Sequence, residues 1–255
     1  MLEVNNGKKI SVGPPYYNFI LTPFLIPFLI IMTISVKMDW IRSSINEKKK
    51  ELLFLLIFAL FFVLMISYFF EEINITVLLI FFSSIFLIFS LFKDFFDFFR
   101  NKKKINIAQI ISHFGFGLLI FSIAVCSTFS KEIDINLKVG ESIKLYNYEL
   151  KFKDLSMKED KNFKSIIGNF NLVEANGKIF YFNPELRIYD QPLIMTSEAN
   201  IKTNFFKDKY IVMNNVSGSD YYNIRFQEKP FMIWIWIASL LIATGGFLSI
   251  ILKRN

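Results

Sequence analysis

Five apolar runs, each long enough to cross the hydrocarbon core of a bilayer, constrain this chain more than any other feature. A spanning helix needs roughly 17–25 residues, and prolines inside one are tolerated where neighbouring helices satisfy the freed backbone groups. The runs are Phe19–Val36, which contains Pro23 and Pro27, Glu51–Phe70, Ile73–Phe92, Ile107–Phe129 and Phe231–Leu252. With a mean hydropathy of +0.42 and 20% charged residues, the chain is predicted to lie partly in a membrane and partly in water.

Basic residues collect in alternate connections between these runs, and this asymmetry predicts their orientation, since Lys and Arg favour the inner side of a membrane. They are Lys37, Arg42, Lys48, Lys49 and Lys50 after the first run, Lys93, Arg100, Lys102, Lys103 and Lys104 after the third, and Lys253 and Arg254 after the fifth. The N-terminus, despite Lys8 and Lys9, and the long segment before the last run are therefore predicted to lie outside. The net charge of +7 is explained by this topology, so no nucleic-acid partner is expected.

The segment from about Lys131 to Lys229 differs in kind from the apolar runs. Its short stretches IDINLKV, YELKFKD, KIFYFN and KYIVMNN alternate apolar and polar residues, which is typical of half-buried strands. Asn176-Gly177, between FNLVEA and KIFYFN, predicts a type I′ hairpin turn. About 100 residues suffice for a small antiparallel sandwich or barrel.

The predicted fold is thus a multi-span α-helical membrane protein with an antiparallel β domain inserted between the last two spans. Residues 1–18 are predicted to form an outer loop that includes the Pro14-Pro15 pair, and residues 19–129 to form four transmembrane helices. Residues 130–229 are predicted to form the outer β domain, and residues 230–255 the last helix and an inner tail. Trp234 and Trp236 would lie in the aromatic belt at the outer headgroups.

His113 is the only histidine of the chain, and it lies inside the fourth run. At ~1.5 Å per residue it would sit roughly 8–10 Å below the inner membrane surface. One interpretation is an interhelical hydrogen bond, worth about 0.6 kcal/mol in membranes. The other is an iron or proton site, because ionisable residues within membranes are often functional. The residues alone leave both open.

Helical spacing places Gly117 and Gln109 one turn from His113, in opposite directions along the helix. Gly117 leaves space that either a flat macrocycle or a closely packed helix would occupy. Gln109 is a candidate donor to a haem propionate or a quinone. Because the chain has one histidine, a bis-histidine haem site would need its second axial ligand from another chain.

Cys126 is the only cysteine, so an internal disulfide, a CxxC redox pair and a structural zinc site are excluded. No basic neighbour that would activate the thiol is visible, and we expect Cys126 to pack between helices as a small residue.

Four blocks of the sequence resemble the C-terminal part of CcmF, the haem lyase subunit family of cytochrome c maturation. They are KKISVGPPYYNFILTPFLIP, SHFGFGLLIFSIAVCSTFSKEIDINLKVGESI with its His-x-Gly, NPELRIYDQPLIMTSEANIKTNFFKDKYIVMNN, and PFMIWIWIASLLIATGGFLSI with its Trp-Ile-Trp and Gly-Gly. The blocks occur in the family's order and cover both ends and the middle of the chain, whereas the helices between them match in hydropathy only.

The resemblance implies that His113 is the second of two histidines that hold a membrane haem b. In the family this haem is linked to reduction of incoming haem iron, with quinol as electron source. Cysteine thiols of an apocytochrome c then add to the haem vinyl groups. Further implied partners are the haem chaperone CcmE, the apocytochrome-presenting subunit CcmH and the N-terminal portion of CcmF itself.

The family's Trp-rich haem-holding loop, its two outer histidines and its first membrane haem ligand have no counterpart in this sequence. The resemblance therefore implies a non-autonomous subunit of a haem lyase, the product of a split gene. The abundance of Phe, Ile, Lys and Asn is typical of an AT-rich genome. Together with the implied split gene, it favours the mitochondrial inner membrane, with the β domain in the intermembrane space. A bacterial inner membrane is the alternative.

Two other functions remain open at this stage. A membrane scaffold would use His113 for packing only. A transporter or channel subunit is disfavoured, because the second and third runs hold almost no interior polar groups and no repeat relates the spans.

Overall fold

A computed structural model describes residues 2–3, 9–10, 13–38, 45–70, 73–101, 106–216 and 218–252. Its helices are α1 (Pro14–Lys37), α2 (Ile45–Phe69), α3 (Ile75–Asn101), α4 (Ile107–Phe129) and α5 (Met232–Leu252). Among the described residues, these five helices are long and apolar enough to cross a membrane, and each overlaps one predicted run. The predicted multi-span helical fold is confirmed.

Several residues on which the predicted orientation rests lie outside the described part of the chain. They are Lys8, Arg42, Lys102, Lys103, Lys104, Lys253 and Arg254. The sidedness of the helices accordingly stays a prediction.

Helix α1 begins at Pro14, inside the region expected to be a loop. Gly13 is its N-cap, and the two prolines occupy the first helical positions, where a missing N–H costs nothing and the fixed φ of proline suits the helix. The same region also holds the short antiparallel strands β1 (Leu2–Glu3) and β2 (Lys9–Ile10). The expectation of a rigid Pro-Pro loop was wrong, since these prolines start the helix.

The chain divides into two compact units, residues Met1–Thr128 with Trp234–Asn255, and residues Phe129–Ile233. In the helical unit, α3 packs against both α1 and α2. Leu29 of α1, Leu87 and Leu91 of α3 and Ile110 of α4 form a shared apolar cluster. Many side chains of α1, α2 and α5 stay exposed and apolar, as expected of surfaces that face lipid.

The second unit is built from antiparallel strands. They are β3 (Lys131–Leu137), β4 (Ser142–Leu145), β5 (Tyr148–Glu159), β6 (Phe163–Glu174), β7 (Ile179–Phe182), β8 (Glu185–Asp190), β9 (Leu193–Glu198), β10 (Asn200–Thr203), β11 (Lys207–Asn215) and β12 (Tyr222–Pro230). One sheet has the order β10-β11-β12-β3, and the other has the order β4-β5-β6-β8-β9, with β7 also paired to β6. This confirms the predicted antiparallel β domain between the last two helices.

Alternate residues of both sheets point into one apolar core. Phe152 and Phe170 of neighbouring strands are stacked with ring centroids 4.3 Å apart, and Phe226 from the other sheet is fully buried in the same cluster. The core therefore joins the two sheets of the domain.

The hairpin predicted at Asn176-Gly177 joins β6 to β7, but its turn is of another type. The N–H of Gly177 donates to Glu174 at 2.9 Å, and Glu174 N–H donates to Lys178 at 2.9 Å. Gly177 has φ +83°, while Asn176 is not among the described residues with positive φ, as type I′ would require. The loop is one residue longer than predicted, and its last residue adopts the left-handed conformation that glycine favours.

Candidate functional site

Helix α4 carries the predicted site, and glycines bring it into close contact with α5 on one side. A Cβ added at Gly115 would lie 2.9 Å from the Ala238 carbonyl oxygen and from the Ile242 nitrogen of α5. A Cβ added at Gly245 of α5 would lie 2.6 Å from the Ser112 nitrogen. Small residues allow such backbone approach between membrane helices, so α4 and α5 fix each other's position close to His113.

Gly117 lies on another side of α4 and faces α3. A Cβ at this position would approach Ile88 Cγ1 to 3.0 Å and Leu87 Cδ2 to 3.3 Å. From the sequence, either a flat macrocycle or a closely packed helix could occupy the space beside Gly117. In the structure, helix α3 occupies it.

His113 is half-buried, and its ring is held by its own helix. The Nδ1 atom lies 3.3 Å from Ser112 Oγ, and the imidazole also forms a hydrogen bond with the backbone of Gln109. The Ser112 hydroxyl in turn contacts the carbonyl oxygens of Ala108 at 3.0 Å and Gln109 at 3.2 Å.

These contacts favour one tautomer of His113. A hydroxyl has a single proton to donate, and that of Ser112 is directed at backbone carbonyls, so a tautomer with its proton on Nδ1 would donate to the Ser112 oxygen. In that tautomer the other ring nitrogen, Nε2, carries the lone pair of the ring. A ligating histidine commonly donates its other ring N–H in this way.

Gln109 also lies at this end of α4, and its backbone N–H donates to Asn106 Oδ1 at 3.2 Å. Its predicted side-chain role toward a propionate or a quinone stays a prediction. Cys126 is half-buried near the other end of the helix.

A cluster of charges that the sequence analysis did not anticipate joins α1, α2 and α3. The Nζ atom of Lys37 donates to Asp94 Oδ1 at 2.6 Å and to the Ser90 carbonyl at 2.7 Å, and it lies 3.2 Å from Glu51 Oε1. The Lys37 side chain is only 3% exposed. The position of Lys37 in a basic connection gave no sign of this role.

Helix α3 also buries Ser83, Ser84 and Ser90, so the premise that the third run holds almost no interior polar groups was wrong. The hydroxyls of Ser83 and Ser84 donate to the carbonyls of Leu79 and Ile80 in the preceding turn. Serines that bond within their own helix satisfy themselves and do not by themselves form a polar path.

The β domain buries a lysine of its own. The Nζ atom of Lys209 is hydrogen-bonded to Glu174 and lies 3.9 Å from the Phe180 ring centroid and 4.6 Å from that of Tyr148. The hydrogen bond from Lys209 lowers the pKa of Glu174. Burial, followed by a hydrogen bond to Glu228, raises the pKa of Tyr148.

Comparison with known proteins agrees with this architecture. Residues 128–230 match the family model described as the CcmF C-terminal beta-sandwich. The whole chain is 27% identical over 263 residues to the cytochrome c-type biogenesis protein CcmF of Pseudomonas aeruginosa, covering 40% of that protein. It is 23% identical over 246 residues to CcmF of Escherichia coli, covering 95% of the chain and 38% of that protein.

The fold is likewise shared with a solved structure of the cytochrome c haem lyase CcmF. The two superpose with a TM-score of 0.70 at 17% identity, over 91% of this chain and 40% of the other. The chain thus spans about two fifths of the length of the relatives it matches. The chain, with five apolar helices and a domain that matches the CcmF C-terminal beta-sandwich, is therefore similar to a C-terminal portion of CcmF.

Proposed function

We propose that this chain is part of a cytochrome c haem lyase of the inner membrane, in which His113 supplies one axial ligand of a membrane haem b. The proposal rests on the similarity to CcmF, whose relatives are named for cytochrome c biogenesis and haem lyase activity. The chain matches two fifths of those proteins, and within such a lyase it would contribute to the formation of haem–cysteine thioethers.

The observation that carries the proposal is the orientation of the His113 ring. Nδ1 is engaged by Ser112, 3.3 Å away, so Nε2 is the atom left to bind iron. The contacts of Gly115 and Gly245 hold the backbone of α4 against α5, which would keep this ligand in place. These features fit one axial ligand of a haem iron. They provide half of a bis-histidine site, because the chain has one histidine.

Haem b, when bound, supplies one-electron redox chemistry, which the protein tunes through its axial ligands and their hydrogen bonds. In this chain His113 would ligate the iron, and Ser112 would orient the ring and raise its basicity. Gln109 would hydrogen-bond a propionate or a quinol, and Gly117 would keep α3 close behind the ligand. The second histidine would come from the N-terminal portion of CcmF.

The β domain would dock the partners that bring the substrates together, namely the haem chaperone CcmE, the subunit CcmH and apocytochrome c. This role requires the domain to lie on the outer side, opposite the basic connections. We further predict the mitochondrial inner membrane as its location, with the intermembrane space outside; the bacterial inner membrane is the alternative. Crosslinks from the β domain confined to proteins of the inner compartment would contradict both the topology and the docking role.

A non-catalytic scaffold is the competing function, and one observation favours it. The space beside Gly117 is filled by Leu87 and Ile88 of α3, so α4 has a packing role there that needs no cofactor. In a scaffold the hydrogen bonds of His113 to its own helix would satisfy a buried polar ring and nothing more.

The test is a reduced-minus-oxidised absorption spectrum of the chain copurified with its N-terminal partner, for the wild type and His113→Gly. We expect a b-type signal that the variant loses and that added imidazole restores, since imidazole can replace the missing ligand. Thr244→Ala, which removes a hydroxyl bonded within its own helix at Leu241, is the control for general damage. An unchanged spectrum in an assembled His113→Gly complex would leave the scaffold as the function.

A further inference from the structure

The turn between β10 and β11 presents two phenylalanines at its tip. Asn204 shapes this turn, because its Oδ1 accepts hydrogen bonds from the backbone N–H groups of Phe206 at 2.9 Å and Lys207 at 2.8 Å. The Phe205 and Phe206 side chains are 53% and 65% exposed. Turn positions of this kind usually carry glycine, asparagine, aspartate or serine, so an aromatic pair there calls for a physical reason.

The tip lies beside the residue that precedes the last helix. The N–H of Phe231 donates to the carbonyl of Phe206 at 2.8 Å, and Lys207 pairs with Pro230 across β11 and β12. Helix α5 begins at Met232, the next residue after Phe231. The tip is therefore tied by a backbone hydrogen bond to the point where the chain enters an apolar helix.

The other connection to the helices leaves from the same end of the same sheet. Strand β3 begins at Lys131, two residues after the end of α4 at Phe129, and Lys131 pairs with Glu228 of β12. Because α4 and α5 are both membrane-span candidates, this end of the sheet must lie near a membrane surface.

We propose that the Phe205-Phe206 tip inserts into the interfacial layer of the bilayer beside the start of α5. Aromatic and other apolar side chains enter the boundary between headgroups and acyl chains readily. The neighbouring Lys131 is exposed and would meet anionic headgroups, which attract basic residues near the surface. Inserted in this way, the tip anchors the β domain to the membrane.

The test measures how deeply the tip enters lipid. Cys126→Ala provides a cysteine-free chain, and Phe206→Cys in that background takes an environment-sensitive fluorophore. The full chain is reconstituted into nanodiscs of phosphatidylcholine and phosphatidylglycerol, with or without lipids that carry a quencher on the acyl chain.

Met157→Cys is the matched control. Met157 is also apolar and 85% exposed, but it lies nine residues along β5 from Tyr148, whose hydroxyl oxygen is 3.0 Å from Lys207 Nζ beside the tip. At ~3.4 Å per residue, it is about 30 Å from that end of the sheet.

We expect a blue-shifted emission at position 206 and quenching by the labelled lipids that is several-fold stronger than at position 157. Equal, weak quenching at both positions would overturn the proposal. Shielding of position 206 only after the other lyase subunits are added would overturn it in favour of a protein partner. If Phe206→Cys fails to fold, Phe205→Cys makes the same measurement. The outcome does not depend on haem binding, so it leaves the function of His113 open.

Discussion

The helical unit and the β domain each bury a lysine, and they accommodate the charge differently. Lys37 is satisfied by polar groups alone, two carboxylates and a backbone carbonyl from neighbouring helices. Lys209 has a single carboxylate, that of Glu174, and lies against the rings of Phe180 and Tyr148. The helical unit therefore satisfies its buried lysine with polar groups, whereas the β domain uses one carboxylate and aromatic rings from its core.

The difference follows from what drives packing in each region. Between membrane helices there is little hydrophobic driving force, so close backbone contact and polar bonds carry the association. Between the two sheets the burial of apolar surface dominates, and an aromatic core can take up an ammonium group through cation–π contacts.

The strongest test of this comparison is Lys37→Ala. Lys37→Ala removes the ammonium group that Asp94 and Glu51 share, and we expect a loss of about 3–5 kcal/mol in the free energy of unfolding of the helical unit. Titration with a denaturing detergent, followed by helix content, measures it. The triple variant Lys37→Met, Glu51→Gln and Asp94→Asn should recover most of the loss, because no charge remains to be satisfied; a triple variant as unstable as the single one would contradict this account.

For the β domain, Lys209→Ala is expected to cost about 3 kcal/mol, the lower end of the range for a broken buried pair, since the Glu174 side chain is 20% exposed and regains some water. Hydrogen exchange of the β6 and β11 amides reports the change. Lys209→Met keeps the stem against Phe180 and Tyr148 and should lose less. If Met and Ala were equally damaging, packing of the apolar stem of the side chain would not contribute.

Gly245→Ala tests the close contact of α4 with α5. The new Cβ would lie 2.6 Å from the Ser112 nitrogen, and we expect overpacking to cost about 2 kcal/mol, measured by the same detergent titration. Gly246→Ala is the control, because a Cβ at that position meets nothing within 4 Å among the described residues. Equal effects of the two variants would remove the α4–α5 contact as a source of stability.

The smallest expected effect is a pH dependence confined to the β domain. The bond from Lys209 lowers the pKa of Glu174 in the folded state, so its contribution is present above the ordinary glutamate pKa and is lost as the pH falls through the lowered value. We expect the wild type to lose more stability than Glu174→Gln on acidification. Hydrogen-exchange rates of the β-domain amides, measured through this pH range, test the prediction. The same pH dependence of stability in the wild type and in Glu174→Gln would contradict it.

Structural features that depend on residues close together in the sequence were predicted well. The apolar run Ile107–Phe129 matches α4 at both ends, and Asn176-Gly177 marked the correct hairpin. The turn type was missed, because the sequence does not specify how many residues the two strands leave unpaired. Pro14 was misassigned for a related reason, since the same residue suits a loop and the first turn of a helix.

Contacts between residues that are far apart in the sequence could not be predicted from it. Lys37 and Asp94 are 57 residues apart and Glu174 and Lys209 are 35 apart, and nothing in a single sequence pairs them. Gly245 and Gly246 are adjacent and identical, yet only the first faces α4. The face of a glycine is set by the packing of whole helices, and so is the occupant of the space beside Gly117.

The pairing of β3 with β12 has a consequence for how such a chain can change over evolution. Lys131, the first residue of β3, and Glu228, two residues before the end of β12, are partners in one ladder, so their Cα atoms are only about 5 Å apart. A module whose two ends meet in this way can be gained, exchanged or lost by an insertion at a single point of the parent gene.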